Sequence, residues 1–187
     1  MTNSDKTRLR AIYLKKRLLL TPDEIRQKSR QISEKIPHLE QVENKNAIAC
    51  YLAVNNEPNI QNIITYFLEA GRTVVIPAFF EKLKQYKFVT LSSLNNLEIG
   101  QYQIPQPLKL LPVDSIKIEL ALLPGLAFSE GGLRLGYGKG VYDRLLANSS
   151  TFKIGVCYDF QIINHFKSEP HDIKVDFIVS ENRIIKT

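Results

Sequence analysis

A glycine-rich loop between a strand and a helix, within residues 120–146, constrains the fold more than any other stretch. The segment reads LALLPGLAFSEGGLRLGYGKGVYDRLL: an apolar run, a proline–glycine stop, a basic loop and then a helical pattern. Five of the chain's nine glycines crowd into this loop, where they alternate with Arg134, Tyr137 and Lys139. Glycine lets the backbone approach a ligand closely, and a helix beginning near Gly140 would point free N–H groups into the loop. The pattern therefore predicts an anion site, with phosphate as the expected occupant.

The familiar phosphate-binding motifs do not match this loop. In a Walker loop the lysine is followed by Ser or Thr, whereas Lys139 is followed by Gly140, and Leu133 stands where the first glycine would be. The spacing of Gly136 and Gly138 also differs from the Rossmann pattern, and the catalytic-loop signature of protein kinases is absent. A glycine-rich surface turn remains the alternative interpretation.

The length of 187 residues predicts a single α/β domain over residues 1–187. A hydrophobic content of 44% with 24% charged residues is ordinary for a globular protein, and no apolar run approaches the length of a membrane span. The N-terminus lacks the features of a signal peptide. We therefore expect a cytoplasmic protein without a membrane partner. We also expect a monomer or a weak homodimer.

The formal net charge of +6 permits two kinds of partner. An excess of Lys and Arg fits nucleic acid, and it also fits a polyanionic small molecule such as a nucleotide or a polyglutamate. Because no nucleic-acid-binding motif is present, we expect small-molecule substrates and no nucleic acid.

The cysteines and histidines lack the spacing of metal sites. Cys50 and Cys157 each lie inside an apolar, strand-like run, which predicts reduced core thiols rather than a disulfide or a metal site. We interpret His38, His165 and His171 as surface or loop residues.

Hydrophobic periodicity predicts helices and strands in an α/β order. Helices are predicted over 5–20, over 21–36 with a capping box at its start, over 59–70, and from about residue 140. Strands are predicted over 47–54, 73–78, at an edge over 86–91, in the apolar run from residue 120, and over 153–158 and 175–180. This order favours a single-domain, three-layer α/β/α fold with a mainly parallel sheet and helices on both faces.

Three further features are candidates for a ligand site. Lys6 and Arg10 lie four residues apart and therefore share one face of the first helix, although a solvated basic face explains the pattern equally well. Glu57 follows the strand predicted over 47–54, where open α/β sheets bind ligands, and a solvated loop carboxylate is the alternative. The loop over 95–113 is long enough to predict that it borders a pocket.

If the anion is a nucleotide phosphate, the charges near the loop have a consistent explanation. Arg134 and Lys139 would supply positive potential. Asp143 would repel phosphate unless a cation stood between them, and Mg²⁺ prefers one or two carboxylates plus phosphate oxygens. The alternative is that Asp143 favours the helix N-terminus and pairs with a neighbour such as Arg144.

The glycine-rich segment closely resembles the signature of the 5-formyltetrahydrofolate cyclo-ligases, also called methenyltetrahydrofolate synthetases. The family's usual form is PGLAF followed by RLGYGGGYYDR, and this chain has PGLAFSEGGLRLGYGKGVYDR. The resemblance extends to K-x-x-x-R at Lys6 and Arg10, to IGQYQIPQP, which is similar to G-x-x-x-I-x-x-P, and to EPHDIKVD before the last strand. One departure is clear, because Val141 stands where relatives have a tyrosine beside the folate.

The resemblance implies which residues bind the two substrates. It places the ATP phosphates against the first helix and the glycine-rich loop over residues 131–140, called the glycine loop below. It makes Lys139 and Arg134 the catalytic cations. It adds Asp176 to Asp143 as a second ligand of Mg²⁺. The implied ATP-binding residues are Lys6, Arg10, Arg134, Leu135, Gly136, Tyr137, Gly138, Lys139, Gly140, Val141 and Tyr142. The implied substrate-binding residues are Leu52, Glu57, Tyr137, Gly138, Lys139, Gly140 and Val141.

The reaction implied by the resemblance is ATP-driven cyclisation of 5-formyltetrahydrofolate, with or without a polyglutamate tail, to 5,10-methenyltetrahydrofolate. Transfer of the γ-phosphoryl group would turn the formyl oxygen into a leaving group, after which N10 attacks the same carbon. Such catalysis depends mostly on positioning and charge neutralisation. A non-catalytic nucleotide or sugar-phosphate sensor on the same scaffold is the competing hypothesis. For Val141, either another aromatic residue such as Tyr137 compensates or the substrate differs.

Overall fold

A seven-stranded β-sheet forms the centre of the computed structural model, which describes residues 3–113, 117–147, 149–169 and 172–187. The α-helices are α1 (Asn3–Leu18), α2 (Pro22–Lys35), α3 (Glu40–Glu43), α4 (Gln61–Glu69) and α5 (Val141–Leu145). The strands are β1 (Ala47–Ala49), β2 (Thr73–Phe80), β3 (Gln85–Thr90), β4 (Leu97–Ile99), β5 (Pro105–Pro107), β6 (Leu120–Pro124), β7 (Ala127–Ser129), β8 (Arg134–Leu135), β9 (Phe152–Val156), β10 (Ile162–Ile163), β11 (Phe177–Val179) and β12 (Ile184–Lys186). No helix within these ranges is long and apolar enough to cross a membrane.

The strand order in the central sheet is β12-β11-β9-β6-β1-β2-β3. The five inner strands run parallel to one another, whereas β3 and β12 pair antiparallel at the two edges. Parallel strands covered on both faces are apolar at successive positions, and β6 is buried at every position. The predicted α/β fold with a mainly parallel sheet is confirmed, as is the edge position of β3.

The first face of the sheet is covered by helices. Alternate residues of the inner strands, such as Ile48, Leu122 and Ile154, point to this face because side chains alternate along a strand. They pack against buried residues of α2, α3 and α4, and the same cluster includes Ile32 and Phe67. This face therefore has the helical layer that the sequence predicts.

The second face is covered by a small second sheet together with α1 and α5. That sheet has the order β10-β7-β8, and Phe128 of β7 packs against Ala49, Ala121 and Ile178 of the large sheet. α1 lies against the small sheet, where its Leu9 contacts the same cluster as Leu135, Leu133 and Phe166. Tyr142 and Leu145 of α5 pack against the cluster that contains Phe128, so the second face carries helices as well as the small sheet, as the sequence predicts.

Several element boundaries differ from the sequence prediction. β1 ends at Ala49, and the chain then turns through Asn55 and Asn56, whose φ angles are 48° and 58°. The predicted loop over 95–113 contains the antiparallel pair β4–β5. The edge strand β12 was not predicted. Two to four isolated residues carry too little periodicity to indicate such short strands.

Three local predictions can be compared directly with the structure. The capping box of α2 is present, since Thr21 Oγ1 accepts from Glu24 N at 3.3 Å and Glu24 Oε2 accepts from Thr21 N at 2.8 Å. Cys50 and Cys157 are buried free thiols, as predicted. His38 and His165 are exposed, and His171 lies outside the described residues.

Phe128 anchors the small sheet to the large one. Its ring fills the space beside two glycines: a Cβ atom on Gly155 would lie 2.5 Å from the ring, and one on Gly125 would lie 2.6 Å from it. Phe128 is fully buried, and it is paired across the β7–β8 register with Arg134. The two glycines therefore let the sheets approach closely, and this approach sets the position of Arg134.

We predict that Gly155→Ala lowers the free energy of unfolding by about 1–3 kcal/mol, because the added methyl group overpacks the contact with Phe128. Urea unfolding measures the change. Gly131→Ala is the matched control, since its Cβ would meet only Ser129 Oγ at 3.9 Å, and its effect should stay within about 0.5 kcal/mol. Equal stabilities of the two variants would contradict the role given to Phe128.

Candidate active site

A cavity of about 800 Å³ opens at the carboxyl ends of β1 and β6. The chain proceeds from β1 to β2 on one side of the sheet and from β6 to β9 and β11 on the other, so the strand order reverses between β1 and β6. Open α/β sheets bind ligands outside the strand ends at such a reversal. The cavity is therefore the candidate active site.

The walls of the cavity come from the start of α1, the segment after β1, the glycine loop with α5, and the segment between β4 and β5. Tyr102, Ile104 and Pro105 belong to the last of these, which confirms that the 95–113 region borders the pocket. Most of the site residues predicted from the sequence line the cavity together. They are Lys6, Arg10, Leu52, Glu57, Arg134, Leu135, Gly136, Tyr137, Gly138, Lys139, Gly140, Val141, Tyr142 and Asp143. Their roles toward particular ligands stay predictions.

Asp176 stands apart from this group. It precedes β11, at the amino end of the parallel strands, and its Oδ2 atom accepts a hydrogen bond from Lys153 N at 2.7 Å. Asp176 does not line the cavity. The structure thus corrects the expectation of a metal ion shared with Asp143, because Asp176 satisfies the backbone where β9 begins, at the opposite end of the strands from the cavity.

Arg10 and the glycines fix the shape of the glycine loop. Arg10 Nε donates to the carbonyl oxygen of Gly136 at 3.0 Å. Gly138 has a φ of +85°, and a Cβ atom there would lie 3.2 Å from the Arg10 guanidinium carbon. A side chain at position 138 would therefore be strained and would crowd Arg10. The loop presents backbone to the cavity, as the sequence predicts.

The helix after the loop is shorter than the anion-site prediction requires. α5 begins at Val141, next to the predicted Gly140, and ends at Leu145. Because the helix dipole sums over aligned peptide units, five residues give a weak dipole, and positive side chains supply most of the potential. Lys139 is one of them, an exposed residue whose Nζ atom lies 5.2 Å from the centre of the Tyr102 ring.

Arg134 is a buried cation on the cavity wall, with 7% of its surface exposed. Its Nη2 atom donates to Asp143 Oδ2 at 3.0 Å, and its Nη1 atom donates to the carbonyl oxygen of Pro124 at 3.3 Å. The guanidinium lies 5.3 Å from the centre of the Tyr142 ring. Its buried Nε atom has no hydrogen-bond partner in the described parts of the chain.

Asp143 pairs with Arg134 rather than with Arg144, the neighbour suggested by the sequence. Its second oxygen, Oδ1, accepts from Ile173 N at 3.3 Å. Within residues 3–113, 117–147, 149–169 and 172–187, no group of three or more His, Cys, Asp or Glu side chains is arranged to hold a metal ion. A metal at this cavity would therefore need ligand oxygens in addition to those of the protein.

Lys6 is buried and already engaged by two carboxylates. Its Nζ atom lies 2.6 Å from Asp172 Oδ2 and 3.4 Å from Glu169 Oε2. Both acidic residues also line the cavity, and the sequence reasoning did not single them out. The signal was present in the EPHDIKVD segment, which contains both.

Glu57 is a buried carboxylate with 3% of its surface exposed, so the solvated alternative is excluded. Its Oε2 atom accepts from Val54 N at 3.1 Å, and its Oε1 atom lies 3.7 Å from Arg17 Nη1. Burial raises the pKa of Glu57 to about 7, against the opposing effects of Arg17, the Val54 N–H group and Tyr137. Glu57 is therefore close to half ionised near neutral pH.

Arg17 is the residue beneath the cavity that the sequence reasoning missed. It is completely buried, although its stretch of α1 reads as a basic, solvated face. A signal existed, because Lys6, Arg10 and Arg17 are spaced by four and seven residues and thus lie on one face of the helix.

Comparisons with known proteins agree on one family. A family model described as the 5-formyltetrahydrofolate cyclo-ligase family matches residues 2–181. The chain is 31% identical over 180 residues to the 5-formyltetrahydrofolate cyclo-ligase of Mycoplasma genitalium, covering 94% of this chain and 97% of that protein. It is 28% identical over 180 residues to a probable 5-formyltetrahydrofolate cyclo-ligase of Caenorhabditis elegans, covering 89% and 87%.

Two solved structures are also similar. The NMR structure of Aquifex aeolicus 5,10-methenyltetrahydrofolate synthetase has a TM-score of 0.85 at 28% identity, covering 97% of this chain and 92% of that one. The 5,10-methenyltetrahydrofolate synthetase of Mycoplasma pneumoniae has a TM-score of 0.77 at 26% identity, covering 95% and 99%.

The pKa of Glu57 predicts a pH dependence of stability. In the unfolded chain the carboxyl group loses its proton near its ordinary value of 4.5, whereas in the folded protein it keeps the proton up to about 7. Between these values the folded state binds more protons, so the contribution of Glu57 to the free energy of unfolding falls as pH rises. The fall amounts to about 3 kcal/mol, at about 1.4 kcal/mol per pH unit. Urea unfolding of wild type and Glu57→Gln from about pH 4.5 to 7.5 measures this fall. The difference between their free energies of unfolding should change by that amount over the range.

Glu119→Gln provides a control of opposite sign. Backbone N–H groups of Asn46 and Ala47 lower the pKa of Glu119. The contribution of Glu119 to the free energy of unfolding is therefore present above the ordinary carboxyl pKa and is lost as pH falls through the lowered pKa of the folded state. A difference between wild type and Glu57→Gln that does not vary with pH would contradict the raised pKa.

Proposed function

The chain belongs to the 5-formyltetrahydrofolate cyclo-ligase family, and we propose that its cavity catalyses the ATP-dependent cyclisation of 5-formyltetrahydrofolate to 5,10-methenyltetrahydrofolate, with release of ADP and phosphate. One observation carries the proposal: a single cavity is lined by cations and glycines, here called its cationic side, and by apolar residues, here called its apolar side, and the buried carboxylate of Glu57 lines it too. Such a lining suits one ligand rich in phosphate and a second that is flat and mostly uncharged.

The cationic side suits the triphosphate of ATP. Arg10 holds the glycine loop, Arg134 lines the cavity wall, and Lys139 extends from the loop as an exposed ammonium. Charge-assisted hydrogen bonds to phosphate oxygens are among the strongest in proteins. Lys6 joins this side, and phosphate binding there would replace its contacts with Asp172 and Glu169.

The apolar side suits the pterin ring of the folate. The cavity lining includes apolar residues against which a flat ring can pack. They are Leu52, Ile76, Pro77, Ile104 and Pro105. Glu57 also lines the cavity, and its carboxylate can accept hydrogen bonds from the N–H groups of a pterin.

The chemistry requires positioning and charge neutralisation more than a nucleophile supplied by the protein. The γ-phosphoryl group moves from ATP to the formyl oxygen, and ADP leaves. The N10 lone pair then attacks the formyl carbon, the carbon–oxygen bond breaks, and phosphate departs with that oxygen while N10 loses its proton. Lys139 and Arg134 neutralise charge on the transferring phosphoryl group, as cations do in phosphoryl transfer generally.

The donor set around Asp143 fits Mg²⁺ bound together with ATP. Asp143 lines the cavity, and each of its oxygens has one described partner, so lone pairs remain for a further contact. Mg²⁺ is commonly held by one or two carboxylates with phosphate oxygens completing its shell. When bound, the ion would neutralise phosphate charge, and Asp143 is the residue that would hold it.

The decisive experiment measures ADP release by the purified protein with ATP and Mg²⁺, with and without 5-formyltetrahydrofolate. ADP release that depends on the folate supports cyclo-ligase activity, whereas nucleotide binding without turnover would identify a non-catalytic sensor.

We expect Lys139→Ala to raise the dissociation constant for ATP by about 10- to 150-fold, which corresponds to the loss of about 1.5–3 kcal/mol from a charge-assisted contact. The affinity for the folate should change little.

Lys186→Ala is the control for the Lys139 variant, because Lys186 is an exposed lysine on the edge strand β12 and does not line the cavity. It should bind ATP like the wild type. Unchanged ATP affinity of Lys139→Ala would remove this lysine from the phosphate site.

Val141 lines the cavity at the start of α5, and two exposed aromatic residues line the same cavity. They are Tyr137 and Tyr102, and 52% of the surface of Tyr102 is exposed. We predict that Val141→Tyr lowers the apparent KM for 5-formyltetrahydrofolate several-fold, since aromatic stacking adds about 0.5–1.5 kcal/mol beyond burial. The KM for ATP should remain nearly unchanged. Val141→Leu controls for added volume, and a higher folate KM in the tyrosine variant would show that Val141 provides necessary space.

A further inference from the structure

Arg17 is a fully buried cation that does not itself line the cavity. Removing a guanidinium from water is unfavourable unless its donors are satisfied by acceptors. Surface helices rarely bury an arginine completely, so the contacts of Arg17 indicate what its burial achieves.

The contacts of Arg17 join α1 to three separate segments at the base of the cavity. Its Nε atom donates to the carbonyl oxygen of Asn55 at 2.8 Å, and its Nη1 atom donates to that of Gly125 at 3.1 Å. Its Nη2 atom donates to the Tyr137 hydroxyl group. The guanidinium also pairs with Glu57. One side chain therefore connects the segment after β1, the end of β6 and the glycine loop.

The turn that carries Glu57 is held to α1 from both sides. While Arg17 Nε donates to Asn55, the side-chain amide of Asn56 donates to the carbonyl oxygen of Arg17 at 3.3 Å. Asn55 and Asn56 both have positive φ angles, a conformation that needs support from its surroundings in residues other than glycine. Glu57, the next residue, lines the cavity.

We propose that Arg17 is a positioning residue for folate binding, which holds the Glu57 carboxylate and the Tyr137 hydroxyl group at the cavity wall without touching the ligand. The inference rests on the proposed function, because it takes the folate as the ligand that Glu57 meets. It adds a residue outside the cavity to those that determine how the substrate is bound.

The guanidinium geometry is necessary for this role. Arginine presents its donors in a rigid planar fork, whereas lysine offers one compact ammonium group. A lysine at position 17 keeps the positive charge but cannot serve the Asn55 and Gly125 carbonyl groups, the Tyr137 hydroxyl group and the Glu57 carboxylate at once. Arg17→Lys therefore separates the effect of geometry from that of charge.

The charge of Arg17 also bears on the ionisation of Glu57. Glu57 interacts electrostatically with two cations and four phenol groups that come from several elements. They are Arg17, Arg134, Tyr51, Tyr137, Tyr142 and Tyr158. Burial has the largest influence on the pKa of Glu57 and raises it. The charge of Arg17 has the second largest influence and lowers it. Without that charge, Glu57 would stay protonated to higher pH.

The first test uses the protein without ligand. The Glu57 carboxyl carbon is titrated by NMR in wild type, Arg17→Gln and Arg17→Lys, with Glu57→Gln for assignment. We expect Arg17→Gln to raise the Glu57 pKa by at least about one unit, as loss of a neighbouring opposite charge does, and Arg17→Lys to raise it less. Arg8→Gln, an exposed arginine of the same helix, should leave it unchanged.

The second test measures dissociation constants for 5-formyltetrahydrofolate and for ATP separately, below and above neutral pH. We expect Arg17→Lys to weaken folate binding about tenfold or more while ATP binding changes less than threefold. Arg8→Gln should match the wild type for both ligands. If Arg17→Gln does not fold, Arg17→Lys alone carries the test, and it should weaken folate binding.

The outcomes separate this inference from the proposed function. A wild-type protein that does not bind 5-formyltetrahydrofolate overturns the proposed function and, with it, the role of Arg17 toward the folate. A wild type that binds, together with folded Arg17 variants that keep its folate affinity and its Glu57 titration, overturns the inference alone. In that case Arg17 would contribute to stability only.

Discussion

Burial of the Arg17 guanidinium is the interaction on which the rest of the site depends. A cation removed from water needs acceptors on every side, and here they come from the segment after β1, the end of β6 and the glycine loop. These contacts hold α1 across the carboxyl ends of the strands. Because Lys6 and Arg10 lie on the same face of α1, the placement of Arg17 also brings them to the cavity. The position of the helix is therefore set by the polar contacts of one side chain as well as by the packing of Leu9 and Tyr13 on the small sheet.

The cavity also depends on how its charges are paired before a ligand binds. Lys6 is held by Asp172, and Arg134 is held by Asp143. These ion pairs keep buried cations in place at the wall, and they lower the net gain from binding a phosphate, since one anionic partner replaces or joins another. Glu57 is different, because its partner Arg17 lies beneath the wall and leaves the carboxylate facing the cavity. The arrangement pairs each cation of the wall with an acidic residue and leaves Glu57 in contact with a cation from beneath the wall.

Much of this organisation could be predicted from the sequence, where local patterns determine it. The apolar run of β6, the capping box at Thr21 and the cluster of glycines each reflect the chemistry of neighbouring residues, and each has the predicted structure. Parallel pairing follows from the alternation of helices and strands, and the carboxyl ends of parallel strands then define where the cavity forms. The glycine loop, Glu57 and the region around Tyr102 meet there for this reason, although residues as far apart as 57 and 137 contribute.

The features that could not be predicted all depend on contacts between distant residues. Arg17 reads as part of a solvated face, and only its acceptors at Asn55, Gly125 and Tyr137 explain its burial. Asp176 lies close to the cavity residue Asp172 in sequence, but its place at the start of β11 puts it at the other end of the strands. The small sheet on the second face was not predicted, because its fit depends on the packing of Phe128 beside the distant Gly155. The sequence by itself determined the strand–loop–helix unit, the fold class and the residue types of the site. Only the tertiary structure decided which charges are buried and paired, because desolvation and ion pairing depend on which groups surround each side chain in space.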